Sequence, residues 1–457
     1  MLELDVTKWA QEQFGTCQLG DVRRTRRAVK FAAQAAANPS GHTPEQTEQW
    51  GDCKAAYRLF DQEEVTFAAL AAPHWEQTRA SFTGHVLLID DTTDVCFGQR
   101  SIAGMGMIQD EQHPGFLLHS ALAVQAESGV VLGMAAQTIR HRKRRRKQHS
   151  RDRLQRADRE SKLWGDVIDQ VGPPPENVLL THVCDRGADN YEVYCHFVLE
   201  RTLWVVRASQ LDRLILTPSG ARARLDKYLA TLPLAGSYQL ELKATEKCSA
   251  RAAQIEVRSG SLAMPRPRDV SRWVQDTGIR QIAMQVVEVR EVNPPQGVKA
   301  LYWVLYTGHV AANFDEAWQV IEFYEKRLAV EDYHKALKTG CRLEARLYET
   351  AARLEAVTGV LSVVAVRLLQ LKTVAQTDPD RPAADVVPKQ WLKMINCLPQ
   401  PKNKPVATVR DFYRAMARLG GFLARKSDGE PGWITLWRGF EKLHLLVRGA
   451  ETLRRSG

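Results

Sequence analysis

The sequence predicts an α/β protein built on a mixed sheet in the order β-β-β-α-β-α-β, followed by a helix and flanked on both sides by helical segments. Three observations lead there. The runs HVLLIDDTT, GFLLHSALAVQ and VVLGMAAQTIR are short, apolar and separated by glycine-bearing turns, which marks three strands, expected to be antiparallel. A helix-like RADRESKLWGDVIDQVG, the apolar run NVLLTHVCDRGAD, a helical DNYEVYCHFVLER and the strand-like LWVVRAS then follow in alternation. The ends of the chain carry helical composition instead, as in the alanine-rich RRAVKFAAQAAA that stops at Asn38–Gly41.

Taken in order, residues 1–70 read as helical, and the alternating α/β pattern occupies about 83–210. Residues 211–310 are mostly strand-like (YQLELKAT, AAQIEVRSG, IAMQVVEVREV, ALYWVLYTG), with Pro265, Pro267, Pro294 and Pro295 marking loops, and read as an inserted sheet. Helical periodicity returns at Asp315 with DEAWQVIEFYEKRLAVEDYHKALK, continues through LEAVTGVLSVVAVRLLQLK, and ends in WITLWRGFEKLHLLVRGAETL beyond the DPDRP loop. We divide the chain at 1–70, 71–370 and 371–457. With 457 residues and a 44% hydrophobic fraction, several domains with sizeable cores are expected. Val357–Leu371, the longest apolar candidate, is interrupted by Ser362 and Arg367, and the N-terminus lacks an apolar signal core, so a cytoplasmic protein is expected. The eight cysteines never lie closer than 11 residues apart, which excludes CxxC zinc and thioredoxin-type sites and argues against a disulfide framework.

The formal net charge is +10, and its placement matters more than its total. Between Ile139 and Lys162 there are twelve Lys/Arg and three Asp/Glu. The core of this stretch, His141–Arg153, repels itself unless an anion is near. A second cluster, Arg23–Arg27, lies near the N-terminus. Such clusters point to a polyanion, most often nucleic acid, or to a solvated loop.

The carboxylates point to chemistry. Asp91 and Asp185 each follow an apolar strand, Val86–Ile89 and Val178–Cys184, at the strand ends where α/β sheets gather functional groups. The run before Asp91 is apolar on both faces, so periodicity leaves Asp90 and Asp91 both open. On a helix over 318–340, Tyr324, Arg327, Glu331 and Lys338 fall within about 60° of one another. That stripe is either functional or a solvated face whose Arg327–Glu331 pair contributes about 0.3–0.5 kcal/mol. Three acids converging from two strands and a helix would suit two Mg²⁺ ions and phosphoryl transfer. No His/Cys cluster offers a zinc site, and no Walker or paired GxGxxG motif is present.

The strings DDTT (Asp90–Thr93), CDRGAD (Cys184–Asp189) and YEKRLAVEDYHKALKTG (Tyr324–Gly340) resemble the signature blocks of the DDE bacterial transposases, and the gapless Y-x2-R-x3-E-x6-K resembles their insertion-sequence-four family. The likeness runs nearly end to end, through GDVRRTRR, ES-x2-W (Glu160–Trp164), WVVRAS, YWVLYTG, VAVRLLQLK and ARLGGF.

This resemblance implies an RNase H-like catalytic core with a β-rich insertion, a helical DNA-end-binding domain at 1–70 and a helical dimerisation domain at 371–457. It implies Asp91, Asp185 and Glu331 as a metal-binding catalytic triad for Mg²⁺, two ions, with Mn²⁺ as a substitute. Tyr324, Arg327 and Lys338 would hold phosphates, and Trp303 would stack on a flipped base. Arg207, His334 and Lys335 would lie along the DNA, and Arg23, Arg24 and Arg27 would contact the transposon end. The implied activity is cut-and-paste transposition through a DNA hairpin by a homodimer on double-stranded DNA, in the bacterial nucleoid. A simple metal-dependent endonuclease and a non-catalytic DNA-binding relative or inhibitor are the alternatives. Two features depart from the family. Gly20-Asp21-Val22 stands where the family has glycine-aspartate-proline, and the 140–153 loop is unusually basic. Trp433, Trp437, Phe440 and Leu443 share a stripe consistent with the family's dimer helix or with a helix packed inside one monomer.

Overall fold

The computed structural model describes residues 5–456 except 48, 109–111, 143–153, 157–158, 243–249, 400–403 and 426–427, so most of the basic run lies outside the described residues. Five helices open the chain: α1 (Val6–Phe14), α2 (Val22–Ala37), α3 (Thr43–Gln46), α4 (Trp50–Leu59) and α5 (Phe67–Ala80). α2 starts firmly despite having no proline. Gly20 takes the left-handed turn at φ 76°, and the Asp21 carboxylate caps the helix by accepting from the Arg23 N–H at 2.7 Å. Ala28, Phe31, Ala32, Ala35 and Ala36 lie on its buried face, Arg23 and Arg26 are exposed, and Arg24 and Arg27 are half-buried.

Strands β1 (Gly84–Cys96), β2 (Met107–Ile108), β3 (His113–Gln125) and β4 (Val131–Arg140) follow. β1 pairs antiparallel with β3, and β3 with both β2 and β4. After α6 (Lys162–Val171), β5 (Val178–Cys184) runs parallel to β1, and after α7 (Tyr191–Leu199), β6 (Leu203–Arg207) runs parallel to β5. The spatial order β4-β3-β1-β5-β6, three antiparallel strands and then two parallel ones, is the RNase H-like arrangement that the resemblance implies, built from the element order read in the sequence.

The inserted strands do not form a sheet of their own. β7 (Leu214–Leu216), β8 (Arg222–Arg224), β9 (Leu234–Leu242), β10 (Arg251–Pro265), β11 (Gln281–Val292) and β12 (Tyr302–Thr307), with short helices α8 (Leu225–Leu229) and α9 (Arg272–Asp276), extend the central sheet. The splice is β12 on β6, where Val205, Val206 and Arg207 face Thr307, Tyr306 and Leu305. The chain then returns through α10 (Phe314–Glu325), α11 (Leu328–Lys335), a π-turn at Ala336–Gly340, and α12 (Ala351–Thr377). Helices α13 (Lys389–Cys397), α14 (Val409–Leu419) and α15 (Trp433–Ser456) enclose a separate small core around Ile395, Phe412, Met416 and Leu443.

One core joins the N-terminal helices, one face of β1 and β3, and α10–α12. It is keyed by a buried cation. Arg346, 1% exposed, donates to the carbonyls of Pro39, Gly41 and Cys341 and to Gln46 Oε1. Burial lowers its pKa, and four neutral acceptors rather than a carboxylate hold the charge. Beside it Thr43 Oγ1 and Tyr348 Oη share a 2.7 Å hydrogen bond. The first helical segment is thereby locked to the loop that follows α11.

Replacing Arg346 by Met keeps the apolar stem and removes every donor. We expect it to cost about 3 kcal/mol and lower the melting temperature by several degrees, as read by thermal denaturation.

Candidate active site

β1 and β5 run parallel in a register that sets Asp90 against Cys184, so Asp185, just past the end of β5, stands beside Asp91. Asp91 does not end its strand as the sequence suggested: the β1–β5 ladder stops at Asp90, but β1 continues against β3 to Cys96. Pleat alternation sends Asp90 and Asp91 to opposite faces. Asp90 is 1% exposed and meets His182 Nδ1 at 2.7 Å, with the Cys184 thiol donating to it at 3.5 Å. It is tied into the layer beneath the sheet. Asp91 faces α11 instead, which separates the two adjacent aspartates that periodicity left open.

The Asp185 carboxylate accepts from the Gly187 N–H at 2.7 Å and so caps the single turn Arg186–Ala188. A side chain at Gly187 would strike Trp164, which packs beneath that turn. The Trp164 ring lies 4.4 Å from the ring of His119, whose Nδ1 meets Thr92 Oγ1 at 2.7 Å. Trp164, from the ES-x2-W block, and His119 therefore brace the two aspartate strands from below.

Arg327 closes the site. Its guanidinium lies 3.6 Å from Asp91 and 2.7 Å from Glu331, bridging a strand acid and a helix acid. Burial pushes the Asp91 pKa up to about 6, and repulsion from Asp185 and Glu331 adds to the rise, while Arg327 and the Thr92 N–H pull against it. Burial opposes the charge on Arg327, yet Tyr324, Asp91, Glu331 and Asp185 together raise its pKa above the usual arginine value. The three carboxylates thus act on one another around a single cation. Among the described residues, no group of three or more His, Cys, Asp or Glu side chains is already gathered as a metal cage.

The predicted helix over 318–340 is in fact two helices and a π-turn. It breaks at Lys326 and Arg327, where the Lys326 ammonium donates to the Ala126 carbonyl at 2.7 Å. Tyr324 therefore belongs to α10, not to the Glu331 stripe. It is buried, and its ring meets Trp303 edge-on at 5.7 Å. Arg207 donates to the Tyr302 carbonyl at 3.3 Å, beside Trp303. Lys338, in the π-turn, pairs with Glu344 at 3.5 Å, and Glu344 also accepts from the Cys96 N–H at 3.0 Å.

His334 turns inward rather than toward a duplex. It is 9% exposed, with Nδ1 3.9 Å from Asp91. Burial, aided by Lys338 and Arg327, pushes its pKa down to about 3, so the ring is neutral. Lys335 is exposed and lies 3.9 Å from Asp332. Sequence reasoning missed Glu344, His119 and the Asp90–His182 pair, whose partners are all distant along the chain.

Each of the three N-terminal arginines has an acidic partner: Arg23 with Asp21, Arg24 with Glu64, and Arg27 with Asp52, which also takes Lys30. Of the two readings of the C-terminal stripe, packing inside one monomer is the one its described side chains follow. Trp437 (5% exposed) and Leu443 (0% exposed) are buried within the monomer, and Phe440 packs on Trp391 with ring centroids 4.9 Å apart, whereas the side chain of Trp433 lies outside the described residues. The face of α15 left to solvent carries Leu445, Leu446 and Leu453.

Comparison with known proteins adds independent findings at both ends. Residues 6–65 match the family model described as "Transposase DNA-binding". Residues 363–456 match the one described as "Transposase Tn5 dimerisation domain". These matches support a transposase that binds DNA and dimerises. Among solved structures the chain matches a piggyBac transposase synaptic complex with hairpin DNA, at 9% identity and a TM-score of 0.36, covering 92% of this chain and 80% of that one. That likeness is too distant to carry an argument. Among the described residues, no helix is long and apolar enough to cross a membrane.

An acid whose folded pKa is raised contributes stability below its unfolded value near 3.8 and loses it as pH rises through about 6. Asp91→Asn should therefore stabilise the cation-free protein at pH 7 by about 2–3 kcal/mol, and the advantage should vanish below pH 4. Thermal denaturation across that range reads both effects.

Proposed function

We propose that this chain is a cut-and-paste DNA transposase of the insertion-sequence-four type and that Asp91, Asp185 and Glu331 form its catalytic centre. One observation carries the reading: acids from two adjacent parallel strands and a helix meet around Arg327, in a chain whose two ends match transposase DNA-binding and dimerisation models. The donor set suits the metal that such chemistry uses. Three half-buried carboxylates offer hard oxygen ligands and need positive charge, a need that Arg327 meets in part. Asp91, Asp185 and Glu331 would hold Mg²⁺, two ions, which when bound supply an activated attacking oxygen and charge stabilisation at the leaving oxygen.

The protein side chains do the rest. The 6–65 domain holds the transposon end and delivers it to the sheet. Arg327 leaves the carboxylates and pairs with the scissile phosphate, while Lys338 and Tyr324 hold neighbouring phosphates. Nicking, hairpin formation, hairpin opening by water and attack of the freed 3′-hydroxyl on target DNA are each an in-line displacement at phosphorus, so one site serves all four. The hairpin needs a sharp bend. Trp303, partly exposed against Tyr324, stacks on an extruded base with a contribution of about 1–3 kcal/mol, and Arg207 lies close enough to hold the adjoining backbone. Two copies, joined through the C-terminal helices, bring two ends together on the DNA.

Incubation with end DNA and Mg²⁺ tests the reading. Asp91→Ala, Asp185→Ala or Glu331→Ala should abolish cleavage and leave DNA binding within a few-fold of wild type. Trp303→Ala should slow hairpin formation at least tenfold more than the first nick. Full cleavage by any triad variant would refute the assignment, and cleavage without hairpin or joined product would leave a simple endonuclease.

A further inference from the structure

Helix α4 has two unlike faces. Cys53, Ala56 and Leu59 are buried, whereas Trp50, Lys54 and Arg58 are exposed. Spaced by four residues, these three fall within about 80° of one another and make one outward stripe. Trp50 is 68% exposed, and the Lys54 ammonium stands 5.2 Å from the centroid of its ring. An indole is one of the largest apolar surfaces a protein can bury, so leaving it two-thirds in water forgoes stability that the fold does not recover. Neither Lys54 nor Arg58 has a carboxylate partner among the described residues, in contrast to Arg23, Arg24 and Arg27 on α2. Arg23, Arg24 and Arg27 are held by acids, whereas Lys54 and Arg58 lie on another helix beside an unburied aromatic.

We propose that the Trp50–Lys54–Arg58 face of α4 is a DNA-contacting surface of the N-terminal domain. Lys54 and Arg58 pair with backbone phosphates, and the Trp50 indole lies against the sugar and base edge of a groove. This rests on the reading of residues 6–65 as a DNA-binding domain. Charge favours duplex DNA over a protein partner as the occupant, since the stripe carries two cations and no acid and the chain as a whole is +10.

The test uses the full chain and a fluorescently labelled mixed-sequence duplex, titrated at several salt concentrations. Lys54→Gln and Arg58→Gln should each weaken binding about 3–10-fold and reduce the slope of log K against log salt by about 0.9. Trp50→Ala should weaken binding at least about fivefold with the slope unchanged, and Trp50→Phe should restore most of the loss. All three positions lie exposed on a solvent face, so unaltered melting curves are expected. Wild-type affinity and slope in both Trp50→Ala and the Lys54→Gln/Arg58→Gln double variant, with Arg23→Gln or Arg26→Gln weakened, would overturn the stripe and keep the domain reading. Failure of the wild-type chain to bind duplex at any salt would overturn both.

Discussion

Three carboxylates that share a half-buried pocket repel one another, and most of this architecture holds them there against that repulsion. Two of them sit on adjacent parallel strands in the middle of a sheet, the most rigid place the fold offers. The third projects from a short helix whose start is fixed by a lysine tied to the opposite loop and whose end runs into a π-turn. Arg327, set at the break between two helices, reaches the strand acid and the helix acid together. A cation so placed does in the free protein what bound metal and phosphate would do in a working complex.

The surroundings follow from that constraint. The strand pair is braced beneath by His119 and Trp164, and the neighbouring acid, Asp90, is diverted to His182 on the far face. Arg346 locks the N-terminal helices to the loop that follows the glutamate helix, and Arg100 adds hydrogen bonds to the Glu344 and Arg346 carbonyls of the same loop. The segment that binds DNA and the segment that carries Lys338 are thus joined through buried polar contacts, not through a flexible linker. The C-terminal helices keep a core of their own, and α15 turns its exposed leucines away from it.

Much of this was legible in the amino-acid order. The position of Asp185 at the end of β5 follows from the apolar run before it, and the alternation of runs and helices predicts the element order, whereas β1 runs five residues beyond Asp91 because its polar second half stays paired with β3. What escaped depends on partners far along the chain. The split of the 318–340 helix is set by the Lys326–Ala126 contact, which periodicity cannot register. The inserted strands join the main sheet because β12 pairs with β6, a register invisible in either strand alone. The stripe through Trp437 and Leu443 announces burial correctly but not against what: Leu443 packs in the C-terminal core with α13 and α14, and Trp437 in the main core. In the same way, three basic residues on α2 look free in sequence and are held by Asp21, Asp52 and Glu64 in space.

The convergence of the triad on a metal is tested most directly by anomalous scattering from crystals of the chain bound to end DNA and soaked in Mn²⁺. The account predicts manganese peaks ligated by Asp91, Asp185 and Glu331, with the Arg327 guanidinium moved from the carboxylates to a DNA phosphate. Peaks elsewhere, or Arg327 still bridging Asp91 and Glu331 with DNA and manganese bound, would contradict it.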